Sequence, residues 1–154
     1  MTEEERQLLL TALCGYLPYK VKCFAEDREY GDLGTLYSVD PFENLDPNIY
    51  IQYDKGNVIS FFTSEIKPYL RPISSMTEDE RKDIHQTAFC NPKYGKYFIL
   101  TENGIIYNGH NNCCCFSIDS LEMVVDWLNV HHFDYRGLID KGLALEAPKN
   151  MYNN

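Results

Sequence analysis

Two capping boxes constrain this chain more than any other feature. Thr2 is followed three residues later by Glu5, and Thr77 by Glu80. In such a pair the threonine hydroxyl accepts from the backbone N–H three residues on, and the glutamate reaches back to the threonine's own N–H, so each pair marks a helix start. The first helix carries Leu9, Leu10 and Leu13 on one side with Ala12 beside them, and is expected to stop near Gly15, ahead of Pro18. The second presents Glu78, Asp79, Glu80, Arg81, Lys82 and Asp83 to solvent and turns Ile84 and Ala88 inward.

Between these helices, Gly31, Gly34, Pro41, Pro47, Pro68 and Pro72 punctuate a run of short strands. Tyr19 to Phe24 alternates Tyr19, Val21 and Cys23 with Lys20 and Lys22, the period of a strand with one dry face. Leu33–Val39, Ile49–Tyr53 and Val58–Thr63 read the same way, the last two joined by a turn at Asp54-Lys55-Gly56-Asn57. The prolines of Ile66–Pro72 bias their predecessors to extended backbone. Further on, Thr101-Glu102-Asn103-Gly104 separates Tyr97–Leu100 from Ile105–Tyr107, and Asn-Gly between apolar runs signals a hairpin. Cys113–Phe116 is expected to add a strand to it. A third helix follows, capped by Ser117 or Asp119, with Ile118, Leu121, Val125 and Leu128 as its apolar stripe. Asp134 is expected to cap a last short helix ending at Gly142.

These elements predict a single α+β domain over residues 1–154, with 146–154 as a frayed tail. The expected architecture is a small antiparallel sheet of about five to seven short strands with three or four helices packed mainly on one face. At 154 residues the chain is long enough to fold without a disulfide or metal staple. No apolar run is long enough to span a membrane. Glu3, Glu4 and Glu5 stand where a secretory signal would carry basic residues, so a cytoplasmic location is expected. The net charge of −9 opposes binding to phosphate backbones and anionic lipid; it serves solubility first, and is also what a protein meeting a basic surface would carry. The 12 tyrosines fit an interface, where tyrosine is enriched, and equally fit half-buried strands, which favour it too.

The six cysteines do not form a disulfide framework: Cys113, Cys114 and Cys115 are consecutive, and neighbouring cysteines rarely meet disulfide geometry. Free thiols in a reducing compartment fit better. A metal centre would draw on His110, Cys113 and Cys115 with His131 or His132, but H-x-x-C-x-C matches no common zinc spacing and no C-x-x-C occurs. Buried thiols packing as small hydrophobes are the competing explanation. Cys14 and Cys90 are alternative nucleophiles, and His85 lies five residues before Cys90 with Pro92 just beyond. His131 and His132 end the third helix, where histidine can bond the last carbonyls. The carboxylates Glu26, Asp27, Glu29 and Asp32 lack calcium-loop spacing, no phosphate loop is present, and Arg28 and Arg71 stand alone. No residue is assigned a catalytic or cofactor-binding role, and no cofactor is expected.

Three stretches carry a resemblance: Leu13–Tyr19, Lys67–Thr77, and Asp126–Ile139 running on through Lys141–Leu145. Together they resemble a family of small proteins of unassigned activity from phages, prophages and related mobile elements of gut Bacteroides. The resemblance implies a bacterial cytoplasm and a mobile-element setting, and carries no catalytic residue. Within that setting, the net charge, the tyrosine content and the absence of a complete catalytic motif favour an accessory protein that binds a host or phage protein, modulating a host process or defence system. The alternative is a small Cys/His-dependent metal-binding protein or enzyme.

Overall fold

The computed structural model describes residues 1–25, 31–40, 48–54, 56–88, 98–101, 104–107 and 118–152, without the side-chain surroundings of 85–88, 98–101, 104–107 and 118–121. The chain is α+β. It packs as two compact units, Met1–Leu70 with Leu138–Asn154, and Arg71–Gly137.

The first unit opens with α1 (Glu3–Tyr16). Its capping box forms as expected: Glu5 N–H donates to Thr2 Oγ1 at 3.1 Å, and Thr2 N–H donates to Glu5 Oε2 at 2.7 Å. Leu9, Leu10, Ala12, Leu13 and Tyr16 are buried. The helix runs into a 3-10 turn at Leu17–Tyr19, and Lys20 takes a left-handed φ of 54°. The strand expected from Tyr19 therefore starts later, as β1 (Lys22–Ala25).

Five more strands complete a sheet: β2 (Leu33–Asp40), β3 (Asn48–Gln52), β4 (Val58–Phe62), β5 (Ile66–Leu70) and the two-residue β8 (Leu145–Glu146). Their order is β4-β3-β2-β1-β5-β8. Every pairing is antiparallel except β5 with β8, so the sheet is mixed rather than purely antiparallel. One face turns Cys23, Ala25, Leu36, Ile49, Ile51, Ile66 and Leu70 inward, and α1 packs against β2 and the 3-10 turn Thr63–Glu65. Gly34 is also on this side: a Cβ there would collide with the Ile51 methyl group. The turn between β3 and β4 closes with Gly56 at φ +80° and Tyr53 N–H donating to Asn57 O at 2.9 Å.

The stretch after Pro148, expected to fray, is tied down as far as Tyr152. The Tyr152 hydroxyl accepts from Lys22 N–H at 2.9 Å and donates to Tyr69 O at 2.8 Å, bridging β1 and β5. The expected helix from Asp134 to Gly142 does not form. Gly137 takes φ +69°, and residues 138–143 make a single turn, with Leu143 N–H on Leu138 O and Gly142 N–H on Ile139 O.

The second unit holds α2 (Glu78–Ala88), the hairpin β6 (Phe98–Thr101) with β7 (Gly104–Tyr107), and α3 (Ile118–Val130). The hairpin is a two-stranded sheet of its own, with Thr101 opposite Gly104. The added strand at Cys113–Phe116 lies outside the described residues. The core here joins Ile73, Met76, Ile84, Val124, Trp127, Leu128 and Phe133. The stripe of α3 is therefore Val124, Trp127 and Leu128, one residue round from the expected Val125, which is only half-buried. Trp127 decides this: it is the largest apolar group on the helix, and its indole N–H donates to Asp83 Oδ2 of α2 at 2.7 Å. Asp119 lies inside the helix rather than at its cap.

Candidate functional site

His131 and His132 were the described members of the expected metal set, and each has a structural role at the end of α3. His131 Nδ1 donates to Trp127 O at 2.8 Å, and the ring stacks on the indole at a centroid distance of 3.9 Å. His132 takes the left-handed φ of 59° that ends a helix. Its N–H donates to Asn129 O, and Phe133 N–H donates to Leu128 O at 2.9 Å. That pair of bonds is a Schellman motif, completed by the shared core of Leu128 and Phe133. Histidine fills a place usually given to glycine, and its side chain is buried.

Phe133 leads to the feature that the sequence hid. Arg71 reads there as an isolated cation, yet its backbone pairs with the chain leaving α3: Arg71 N–H donates to His132 O, and Asp134 N–H donates to Arg71 O, both at 2.8 Å. Its guanidinium lies over the Phe133 ring at 4.2 Å and grips Glu80 bidentately at 2.7 and 3.0 Å. Glu80 is also the capping glutamate of α2, accepting from Thr77 N–H at 2.8 Å. Burial alone would raise its carboxyl, but hydrogen bonds from Arg71 and Thr77 and the guanidinium charge bring it down to about 2. One arginine thus joins two of the stretches that carry the resemblance. The Arg71 guanidinium and the Glu80 carboxylate answer each other, and Thr77 adds to the joint.

The cysteines divide. Cys23 is fully buried on the dry face of the sheet, and burial pushes its thiol up to about 12 against the pull of Lys22, so it holds its proton and is no nucleophile. Cys14 is exposed on α1. His110, Cys90, Cys113, Cys114, Cys115 and the side chain of His85 lie outside the described residues, as do Glu26, Asp27 and Glu29. Among the described residues no three His, Cys, Asp or Glu side chains converge to hold a metal.

The other face of the six-stranded sheet is where large apolar groups meet solvent. Leu33, Tyr37, Val58 and Phe62 are 49%, 57%, 38% and 52% exposed, four large side chains on one side of β2 and β4. Register puts them together. Phe24 stands opposite Leu33; Lys22, Thr35, Gln52 and Val58 form one row; Asp40, Asn48 and Phe62 form another. Between these rows, Tyr50 faces Ser38 and Ser60, and a bulge between Leu36 and Ser38 adds Tyr37 beside it. A bulge sets two residues against one, so Tyr37 and Ser38 share this face while Leu36 and Val39 turn inward. Lys22 Nζ donates to Thr35 Oγ1 at 2.8 Å, so a polar pair lies between Leu33 and Tyr37. Aromatic and apolar side chains mixed with hydrogen-bonding groups are what a protein contact uses.

A second concavity, about 530 Å³, runs along α3 beside Glu122, Met123, Val125, Asp126 and Asn129. The Asn129 carboxamide oxygen is buried there with no partner among the described residues. Carboxylates and an unanswered acceptor suit a cationic group.

No protein-family model, curated protein or solved structure matches this chain. Among the described residues no helix is long and apolar enough to cross a membrane.

Proposed function

We propose that this is an accessory binding protein of a phage, prophage or related mobile element, acting in a bacterial cytoplasm by docking a host or phage protein on the outer face of its six-stranded sheet. The observation that carries the proposal is that exposed Leu33, Tyr37, Val58 and Phe62 share the outer face of the sheet with Tyr50. Exposed apolar side chains set among Thr35, Gln52, Ser38 and Ser60 on one sheet face make the mixed apolar and polar surface that protein contacts use. The net charge of −9 supports a protein rather than a nucleic-acid partner. The test is to isolate a complex from producing cells and measure its affinity with Tyr37→Lys and Leu33→Lys chains. Affinity should fall by about tenfold or more for each, with circular dichroism unchanged. Unaltered affinity would remove the sheet face from the proposal.

A Cys/His metal role is the second reading. It is favoured by His131, whose Nδ1–H is fixed on a carbonyl so that Nε2 keeps the ring's lone pair, the orientation that metal-bound histidines use. Metal analysis of the native protein tests it: stoichiometric zinc or iron lost on His131→Gln supports it, and a metal-free native chain removes it.

A further inference from the structure

We propose that the chain self-associates through β4, two copies joining edge to edge about a two-fold axis at Ser60. Among the described residues β4 is the outer strand of its sheet. The ladder to β3 shows which of its backbone groups are already used. Tyr53 N–H donates to Asn57 O. Antiparallel ladders alternate, so the opposed residues Ile51 with Ile59, and Ile49 with Phe61, are the pairs that exchange hydrogen bonds. Val58, Ser60 and Phe62 then point their N–H and C=O groups away from β3. The Phe62 N–H agrees with this phase: it donates to Glu65 Oε2 at 2.8 Å, not into the ladder.

Sheet edges are usually blunted by charge, proline or a bulge. Val58-Ile59-Ser60-Phe61-Phe62 has neither charge nor proline, and its register with β3 is unbroken. The segment is also self-complementary when run antiparallel about Ser60. Val58 then faces Phe62 of the second copy, Ile59 faces Phe61, and Ser60 faces Ser60. Aromatic and β-branched side chains across a pair of strands are a favourable match. The phase is right as well: Val58–Phe62, Ser60–Ser60 and Phe62–Val58 all use outward groups, giving six hydrogen bonds. That symmetry selects a second copy over a foreign strand, and the uncharged contact spares two molecules of charge −9 from meeting through like charges.

Glu65 opposes the pairing. Its carboxylate holds the Phe62 N–H that the second copy would take, so two of the six bonds form only when it lets go.

Sedimentation velocity of the full chain over a wide concentration range tests this. A monomer–dimer equilibrium is expected. Glu65→Ala should tighten it by about tenfold, because two donors are released at about 1 kcal/mol each in part offset by loop ordering. Ser60→Pro removes an outward N–H and no ladder bond, and should abolish the dimer. Val58→Lys, which leaves the backbone alone, should weaken it by about tenfold or more and serves if the proline chain does not fold. A single-chain mass for both wild type and Glu65→Ala overturns the proposal, as does a dimer that Ser60→Pro and Val58→Lys leave intact. Docking by the sheet face is tested separately at Tyr37 and Leu33, which lie on β2 and not on β4.

Discussion

Replacing Glu80 by glutamine separates the charge of this carboxylate from its capping role. Holding the carboxyl at about 2 rather than 4.5 corresponds to about 3 kcal/mol between its protonation states, at roughly 1.4 kcal/mol per pH unit. Arg71 and Glu80 side chains keep 20% and 21% of their surface exposed, so solvent screening leaves about 1–2 kcal/mol of that as stability. Glutamine can still accept from Thr77 N–H, so the cap survives the change. The sign follows from a carboxyl depressed by folding. Its contribution is complete above its unfolded value near 4.5 and is lost as pH falls through about 2. Glu80→Gln should therefore be about 1–2 kcal/mol less stable than wild type at neutral pH, with the difference closing toward pH 2. Urea unfolding followed by fluorescence reports it cleanly, because Trp127 is the only tryptophan and lies in the same unit, stacked on Phe133. Equal stability at neutral pH, or a difference that stays constant down to pH 2, would refute the assignment of this pair as the charge-dependent joint of the unit.

Other outcomes follow from single contacts. Trp127→Phe keeps an aromatic ring but loses the hydrogen bond to the exposed Asp83, and should cost about 1–2 kcal/mol by denaturant unfolding, with a smaller cost in an Asp83→Asn background. At His132, glycine should exceed alanine in stability by about 1 kcal/mol, because only the left-handed backbone distinguishes the two; alanine matching glycine would show that no such conformation is held. Gly34→Ala should lose about 1–3 kcal/mol by forcing Ile51 aside, read as a lower urea midpoint. In native labelling by an alkylating reagent with mass-spectrometric mapping, Cys14 should react and Cys23 should not; a modified Cys23 would contradict its burial.

The local grammar of the fold was plain in the sequence. Both capping boxes and the β3–β4 turn formed where threonine, glutamate and glycine placed them, since such signals act over a few residues and need no tertiary context. Features set by packing were not. On α3 the expected Leu128 is in the core, but Val124 takes the place expected of Val125, because apolar residues occur at both and the burial of Trp127 selects between them. Asp134 looked like a cap because aspartate commonly is one, but its backbone is taken by Arg71. Arg71 itself looked isolated because its partners, Glu80 and Phe133, are distant in sequence. The sheet face was hidden by composition: Val58-Ile59-Ser60-Phe61-Phe62 is apolar at both parities, so alternation cannot say which side is dry. Tyr37 follows the alternation of Leu33 and Thr35, but the bulge that brings Ser38 to the same face had no local signal.

Docking on the sheet face is tested most directly by site-specific photo-crosslinking in producing bacterial cells. A photoreactive side chain at Tyr37 or Leu33 should yield one discrete adduct with the same protein, absent when the group is placed at Glu4 on α1 and lost when Phe62→Lys is added. Adducts of the same pattern from Glu4, or adducts at Tyr37 that Phe62→Lys leaves unchanged, would contradict a binding surface there.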